Sequence, residues 1–164
     1  MSTSANRFHE LFPPTLDLDP HPPVANMLVE GHRTPQYFLG WVMPLVVAAE
    51  RFGTDEENFR ADLLGYFNRG VLSPKWHKVT ANSRVLQEHP QFLRPPRTTK
   101  WLESSGRIPP DDTRTYIIIV VARNTRVEGM RLFEENSEAL IQAAMESIEF
   151  PPEKRAELRW YRFV

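Results

Sequence analysis

The stretch from Tyr116 to Ala122 is apolar or aromatic at every position, and five successive residues in it, Ile117 to Val121, are β-branched. β-Branched residues lose side-chain freedom in a helix and fit the pleated surface of a sheet. No polar residue interrupts the run to mark a face in contact with water, so the pattern predicts a strand buried on both faces. We expect helices to cover these faces, because no other predicted element is large enough.

Apolar residues at helical spacing predict most of the remaining elements. From Val127 to Ile148 they form one stripe with polar residues opposite, which indicates a long amphipathic helix on one face of the strand. A capping box at Thr54 and a Ser-Pro pair at Ser73 begin two further predicted helices. A short helix is expected over residues 4–12, where Pro13 ends it.

The segment that follows Thr34 and Pro35 is predicted to be the central helix. A hydroxyl residue before a proline is typical of a helix start, since the missing proline donor costs nothing at the first helical position. Apolar side chains surround the segment from Tyr37 to Ala49, so we expect it to be buried and to run to Phe52. Pro44 frees a carbonyl group and is expected to bend this helix.

The other segments are short or rich in proline. Residues Pro13 to Pro23 are predicted to form an extended arm lying on the body rather than a paired strand. A short strand is predicted over Val24 to Val29. A long irregular loop is predicted over residues 91–114. After a helical turn at Glu153 to Glu157, Leu158 to Val164 is predicted to be a terminal strand, paired antiparallel with the central one.

Together these elements predict an α+β fold, a mostly helical single domain with a small sheet of two to four strands centred on residues 115–123. With 164 residues and 41% hydrophobic side chains, the chain is long enough for one such core. We expect residues 1–23, the N-terminal helix and the proline-rich arm, to pack on a body formed by residues 24–164.

Composition narrows the classes of partner. The 20 Lys and Arg residues against 21 Asp and Glu residues give a net charge of -1, which attracts neither nucleic acid nor anionic lipid. The longest apolar block is shorter than the roughly 20 residues of a membrane span. There is no cysteine, which excludes disulfides and thiolate chemistry and fits a reducing compartment, and no apolar signal core. We therefore expect a cytoplasmic protein.

Motifs for bound cofactors are missing from the sequence. It contains no glycine-rich phosphate loop, no dinucleotide fingerprint and no Gly-x-Ser-x-Gly elbow, so we expect no cofactor. Asp17, Asp19 and His21 alternate on the arm as ligands of a metal can, but solvated side chains are the commoner interpretation of such spacing and we expect no metal. Basic and aromatic residues in 91–114 suit single-stranded nucleic acid, yet acidic residues dilute them and no motif accompanies them.

Four positions carry the candidate chemistry. His32 and Arg33 precede the predicted central helix, where backbone donors and the helix dipole favour a carboxylate or phosphate. His77 and Arg84 share one face of another predicted helix, as a general base and an anion-binding group. The alternative is a surface pair of Arg33 with Glu30 and a structural role for both histidines.

Two hypotheses of function follow. In the first, the chain is a small cofactor-independent enzyme or binding protein that encloses an apolar organic small molecule, with isomerase, cyclase or lyase chemistry by acid and base alone. Its predicted catalytic residues are His77, His32 and Tyr116, and its predicted ligand-binding residues are Arg33, Trp41, Tyr66, Trp76 and Arg84. In the second hypothesis the chain is a protein–protein interaction module that presents aromatic residues and the proline-rich loop to another chain, which in a homodimer is a second copy of itself.

Overall fold

A five-stranded antiparallel sheet forms the centre of the computed structural model, which describes residues 3–51, 55–58, 97–98, 116–147 and 149–163. In chain order the elements are α1 (Ser4–Leu11), β1 (Thr15–Leu16), β2 (Leu28–Val29), β3 (His32–Arg33), β4 (Gln36–Pro44), α2 (Leu45–Arg51), β5 (Arg97–Thr98), β6 (Tyr116–Arg123), α3 (Val127–Ser147), a 3-10 helix (Pro152–Glu157) and β7 (Arg159–Phe163). The strand order in the large sheet is β1-β7-β4-β6-β5, and β2 and β3 form a separate two-stranded sheet.

Strand β6 confirms the buried strand predicted from its β-branched run. It pairs antiparallel with β4 on one side and with β5 on the other. Side chains from both of its faces are buried: Ile119 and Val121 belong to the main core, and Ile118 and Val120 to a second cluster on the opposite face. The strand is therefore dry on both sides, as its uninterrupted apolar pattern requires.

The predicted central helix over residues 34–52 is wrong. Its first part is β4, the middle strand of the sheet, and only Leu45–Arg51 is helical. Because β4 lies between β6 and β7 and is buried on both faces, it lacks the alternation that reveals a half-buried strand. Pro44 ends the strand and precedes the helix, so it marks a boundary rather than a bend.

The second strand to differ from its predicted place is β7. It is an antiparallel strand, as predicted, but it pairs with β4 and β1 instead of β6. The arm was predicted to be unpaired, yet Thr15 and Leu16 form β1, opposite Tyr161 and Trp160. The first correction follows from placing β4 in a helix, which left β6 as the only partner available to the terminal strand. The second arises because Thr15 and Leu16, unlike the prolines around them, keep the amide donors that pairing requires.

These changes overturn the prediction of a mostly helical domain with two to four strands. The described residues contain a five-stranded sheet and a two-stranded sheet beside helices α1, α2 and α3, so their content is mixed. The division of the chain into residues 1–23 and 24–164 stays a prediction.

Helix α3 confirms the long amphipathic helix predicted after the buried strand. Met130, Phe133, Leu140 and Ile141 are buried in the main core, whereas Val127, placed in the same predicted stripe, is exposed. Aromatic packing joins the helix to the sheet, because the ring of Phe133 meets that of Trp160 edge to face at 5.6 Å. The main core therefore lies between α3 and one face of the sheet.

The N-terminal helix is close to its predicted position, whereas β2 is shorter than the predicted strand and β3 was not predicted as a strand. Helix α1 spans Ser4–Leu11, and the Thr3 hydroxyl accepts a hydrogen bond from the Asn6 amide at its start. The strand predicted over Val24 to Val29 is limited to Leu28–Val29. It pairs with β3 across Glu30 and Gly31, which both have positive φ angles, 48° and 78°. Such angles are typical of a tight hairpin turn.

Other predicted elements are described only in part. Of the helix predicted to begin at Thr54, residues 56–58 are helical, and the Asp55 carboxylate accepts a hydrogen bond from the Asn58 amide at 2.8 Å. This bond lowers the pKa of Asp55. The helix predicted from Ser73 lies outside the described residues. Within the described part of the chain, no helix combines the length and apolar character needed to cross a membrane.

Candidate functional site

Arg162 is a buried cation where helix α1 packs against β7. Only 6% of its surface is exposed. One guanidinium nitrogen, Nη1, donates to the carbonyl oxygen of Phe12 at the end of α1 and lies 3.2 Å from Nδ1 of His9. Because arginine has no acceptor atom, Nδ1 of His9 must accept this hydrogen bond. Arg162 thus stabilises the carboxyl end of α1, where the helix dipole favours a cation.

The Phe8 ring lies over this guanidinium and links it to other rings. Cζ of Arg162 lies 5.5 Å from the centre of the Phe8 ring, a cation–π contact. The Phe8 ring also contacts the rings of His9, Phe12 and His32, at centroid distances of 5.6, 5.3 and 6.2 Å. Phe8 therefore lies between the cation on β7 and the histidine on β3.

The charge of Arg162 has no carboxylate partner among the described residues. Its Nε is buried and makes no hydrogen bond. Two nearby carboxylates, Glu10 on α1 and Glu30 of the hairpin, bind Arg7 instead. Nη1 of Arg7 lies 3.0 Å from Glu10 Oε2, and Nη2 lies 2.6 Å from Glu30 Oε2. The bond to Glu30, followed by the one to Glu10, raises the pKa of Arg7. A buried cation without a counter-ion is costly, which makes Arg162 a candidate binding group for an anion.

Tyr37 lies beside Arg162, because the two residues are opposite each other in the register of β4 and β7. The Tyr37 hydroxyl donates to the Pro13 carbonyl oxygen at 2.7 Å. Burial raises the pKa of Tyr37 well above its ordinary value of 10, and the charge of Arg162 offsets part of this rise. Tyr37 is therefore a neutral donor at neutral pH and does not balance the arginine charge.

The structure changes the physical basis of the predicted anion site at His32 and Arg33. These residues form β3, so no helix begins after them and no helix dipole acts there. The cap expected at Thr34 is also wrong, because its buried hydroxyl has no hydrogen-bond partner. Glu30, the alternative partner of Arg33, binds Arg7. Arg162, His9 and Phe8 form what we call the cationic cluster. His32 lies close to it through its contact with Phe8.

Two other predicted site residues lie on the sheet. Trp41 is buried in the main core, where its Nε1 donates to the Lys154 carbonyl oxygen at 2.8 Å and its ring meets Phe150 edge to face. Tyr116 is half-buried at the start of β6 and packs against the second cluster. The structure does not bring Trp41 and Tyr116 together with His32 in one described contact, and their roles in ligand binding and catalysis stay predictions.

The remaining predicted site residues, Tyr66, Trp76, His77 and Arg84, lie outside the described residues. Their roles stay predictions as well.

Two of the three alternating residues of the arm have separate partners. Asp17 lies 3.3 Å from Nε of Arg159, and Nε2 of His21 lies 2.7 Å from Oε1 of Glu134 on α3. Among the described residues, no three histidine or acidic side chains are arranged to hold a metal ion.

Sequence reasoning missed Arg162. It follows Trp160 and Tyr161 in a strand where arginines and aromatics are mixed, a pattern that ordinary sheet surfaces share. Its burial depends on α1, which is distant in sequence, so no local signal distinguishes it.

Comparison of the chain with protein-family models, with curated proteins and with solved structures finds no match.

Proposed function

We propose that the protein binds a small organic molecule that has an apolar body and a carboxylate group. The observation that supports this proposal is Arg162, a buried guanidinium with an unused Nε and no carboxylate partner among the described residues. Arginine is the side chain best suited to a buried carboxylate, since its planar fork matches the two carboxylate oxygens.

The geometry of the guanidinium favours a carboxylate approaching from one direction. Nη1 is already used by Phe12 and His9, whereas Nε is buried and makes no hydrogen bond, so a carboxylate that reaches this edge would meet an unused donor. The rings of Phe8 and His32 supply apolar and aromatic surface for the body of the ligand. One arginine balances one negative charge, which favours a monocarboxylate over a phosphate.

Catalysis extends this proposal. Isomerisation, cyclisation or elimination of an organic acid requires only an acid, a base and a shaped site, and no cofactor. Among the described residues we assign His32 to the acid–base role, since it shares the Phe8 ring with Arg162. His77 is the second candidate from the sequence.

Titration with benzoate tests the binding proposal. We expect saturable chemical-shift changes at the amides of His9, Phe12 and Arg162 in ¹H–¹⁵N spectra at pH 5.5, pH 7.5 or both. Benzamide, which has the same ring and no charge, should cause none. Arg162→Lys keeps the charge but loses the fork, so we expect it to weaken benzoate binding by about tenfold or more, corresponding to about 1.4 kcal/mol.

Arg131→Lys is the matched control, because it makes the same exchange at an exposed arginine on α3 that lies outside these contacts. It should leave benzoate binding unchanged. Equal responses to benzoate and benzamide, equal affinity in wild type and Arg162→Lys, or no saturable binding at either pH would contradict the proposal. Circular dichroism of each variant separates loss of binding from loss of folding.

A second candidate function, the interaction module, is favoured by two apolar residues at the hairpin. Met27 and Leu28 are 54% and 70% exposed, beside the turn at Glu30 and Gly31. Adjacent exposed apolar side chains of this kind mark contact surfaces. If a homodimer forms there, sedimentation equilibrium should give a dimer mass for wild type and a monomer mass for Leu28→Ser, whereas Val127→Ser, also at an exposed apolar residue, should remain dimeric.

A further inference from the structure

Helix α1 is attached to the sheet mainly by contacts at its carboxyl end and by ion pairs. None of its eight residues is buried, although Phe8 and Leu11 pack partly against the core. Phe12, directly after the helix, is the buried anchor. The remaining links are those of Arg162 to Phe12 and His9, and the exposed pair of Arg7 with Glu30, which contributes little in water. A helix held in this way opens at a small cost in free energy.

The contact between His9 and Arg162 depends on the protonation state of the histidine. Nδ1 of His9 accepts from Arg162 only when it carries no proton. Protonation removes the acceptor and places a second cation within hydrogen-bonding distance of the guanidinium. Histidine is the side chain whose charge ordinarily changes between pH 5 and 8, and His9 is exposed to the solvent that supplies the proton.

The charged groups around His9 do not cancel this repulsion. From β7 it faces Arg162, and from β3 the nearby titratable group is His32, across the Phe8 ring. On α1 itself Arg7 is positive, and Glu10 is bound to it. Glu30 of the hairpin is bound to Arg7 as well. Within the described residues, the carboxylates of this region are therefore already paired with another cation.

We propose that His9 is a pH-sensitive latch, whose protonation releases α1 from β7 and uncovers Arg162. The Phe8 ring on α1 lies over the guanidinium, so the release of the helix removes this cover. Release of α1 is independent of any ligand. Only its consequence, easier access of a carboxylate to Arg162 in acid, rests on the proposed function.

Backbone dynamics test the latch without a ligand. In wild type, the ¹⁵N heteronuclear NOE of residues 4–11 should fall between pH 7.5 and pH 5.5, while that of α3 stays constant. His9→Gln keeps an acceptor that does not titrate, so its α1 should stay ordered at both pH values. His9→Lys has a permanent charge, so its α1 should be mobile at both.

His32→Gln is the matched control, since it removes the other histidine that contacts the Phe8 ring and should keep the pH response of wild type. An unchanged NOE in wild type, or an equal fall in His9→Gln, would overturn the proposal. Failure of benzoate to bind would leave the latch standing, whereas a constant NOE together with benzoate binding would remove the latch and keep the binding site.

Discussion

At the scale of single residues, Gly40 determines how closely β4 and β6 approach each other. It follows a register shift between Leu39 and Gly40 in the pairing of β4 with β6. A Cβ atom on Gly40 would lie 2.1 Å from the Ile119 carbonyl oxygen and 2.9 Å from Cγ1 of Ile118. The first of these atoms belongs to the backbone of the neighbouring strand, so the clash is relieved only if the sheet itself moves.

We therefore expect Gly40→Ala to lower the free energy of unfolding by about 3 kcal/mol, measured by urea denaturation. Gly129→Ala is the control, since a Cβ atom there meets nothing within 4 Å. Because Gly129 lies in α3, alanine should raise the stability by about 0.5–1 kcal/mol. Equal stability of Gly40→Ala and wild type would show that β4 and β6 do not approach each other at this point.

Single residues also show where sequence reasoning about the site stops. The functional role predicted for His32 rested on a helix start that does not exist, and the structure places its ring beside Phe8 instead. Arg162 becomes exceptional only when α1 buries it without a counter-ion. Burial and pairing are properties of the tertiary structure, and the sequence around Arg162 contains neither.

At the scale of elements, Asn124 joins segments that are distant in sequence. It is fully buried at the end of β6. Its Oδ1 accepts from the Tyr37 amide at 2.7 Å, and its Nδ2 donates to the carbonyl oxygens of Pro23 and Pro35 at 2.8 and 3.0 Å. Its backbone carbonyl also accepts from the Ala25 amide. One side chain thus fixes the arm and the entry to β4 against β6.

We expect Asn124→Ala to lower the free energy of unfolding by about 3 kcal/mol, because a buried amide and two carbonyl groups lose their partner. Asn136→Ala is the matched control: its Nδ2 donates to the Leu132 carbonyl oxygen one turn earlier in α3, and its loss should change the stability by about 0.5 kcal/mol or less. Chemical denaturation compares the two. A similar loss in both variants would mean that the arm is held by other contacts.

Elements whose apolar pattern has one structural interpretation were predictable, and those with an ambiguous pattern were not. The β-branched run of β6 and the apolar stripe of α3 each specify one structure locally, and both are confirmed. The run from Tyr37 to Ala49 is apolar throughout, so it contains no period that separates its strand part from its helical part. Thr34 and Pro35 match the sequence pattern of a helix start, although the chain enters strand β4 after them.

At the scale of the whole molecule, stability should depend on alkaline pH through Tyr37. Burial raises the pKa of this phenol in the folded state, so folding favours its neutral form. The contribution is fully present below the unfolded pKa of about 10 and is lost as the pH rises through the higher folded value. We expect the stability to fall above about pH 10, and this fall to be smaller in Tyr37→Phe.

Urea denaturation between pH 7 and pH 11, with phenolate absorbance at 295 nm, measures this dependence. At pH 7 Tyr37→Phe should be less stable by about 1 kcal/mol, because the hydrogen bond to Pro13 is lost. An identical slope above pH 10 in both proteins would exclude Tyr37 as a source of the pH dependence.

The pairing of β4 on both sides has a consequence for the order in which the molecule forms. Its neighbours, β6 and β7, come much later in the sequence, so the strand is synthesised long before either of them exists. Sheets built from such distant segments assemble slowly. Until β7 arrives, the amides and carbonyls of Gln36–Gly40 remain open along one edge, where a second unfinished copy can pair with them. The chain is most prone to aggregation before β7 pairs with β4. Chaperones that bind an unpaired apolar strand would therefore matter most in this interval.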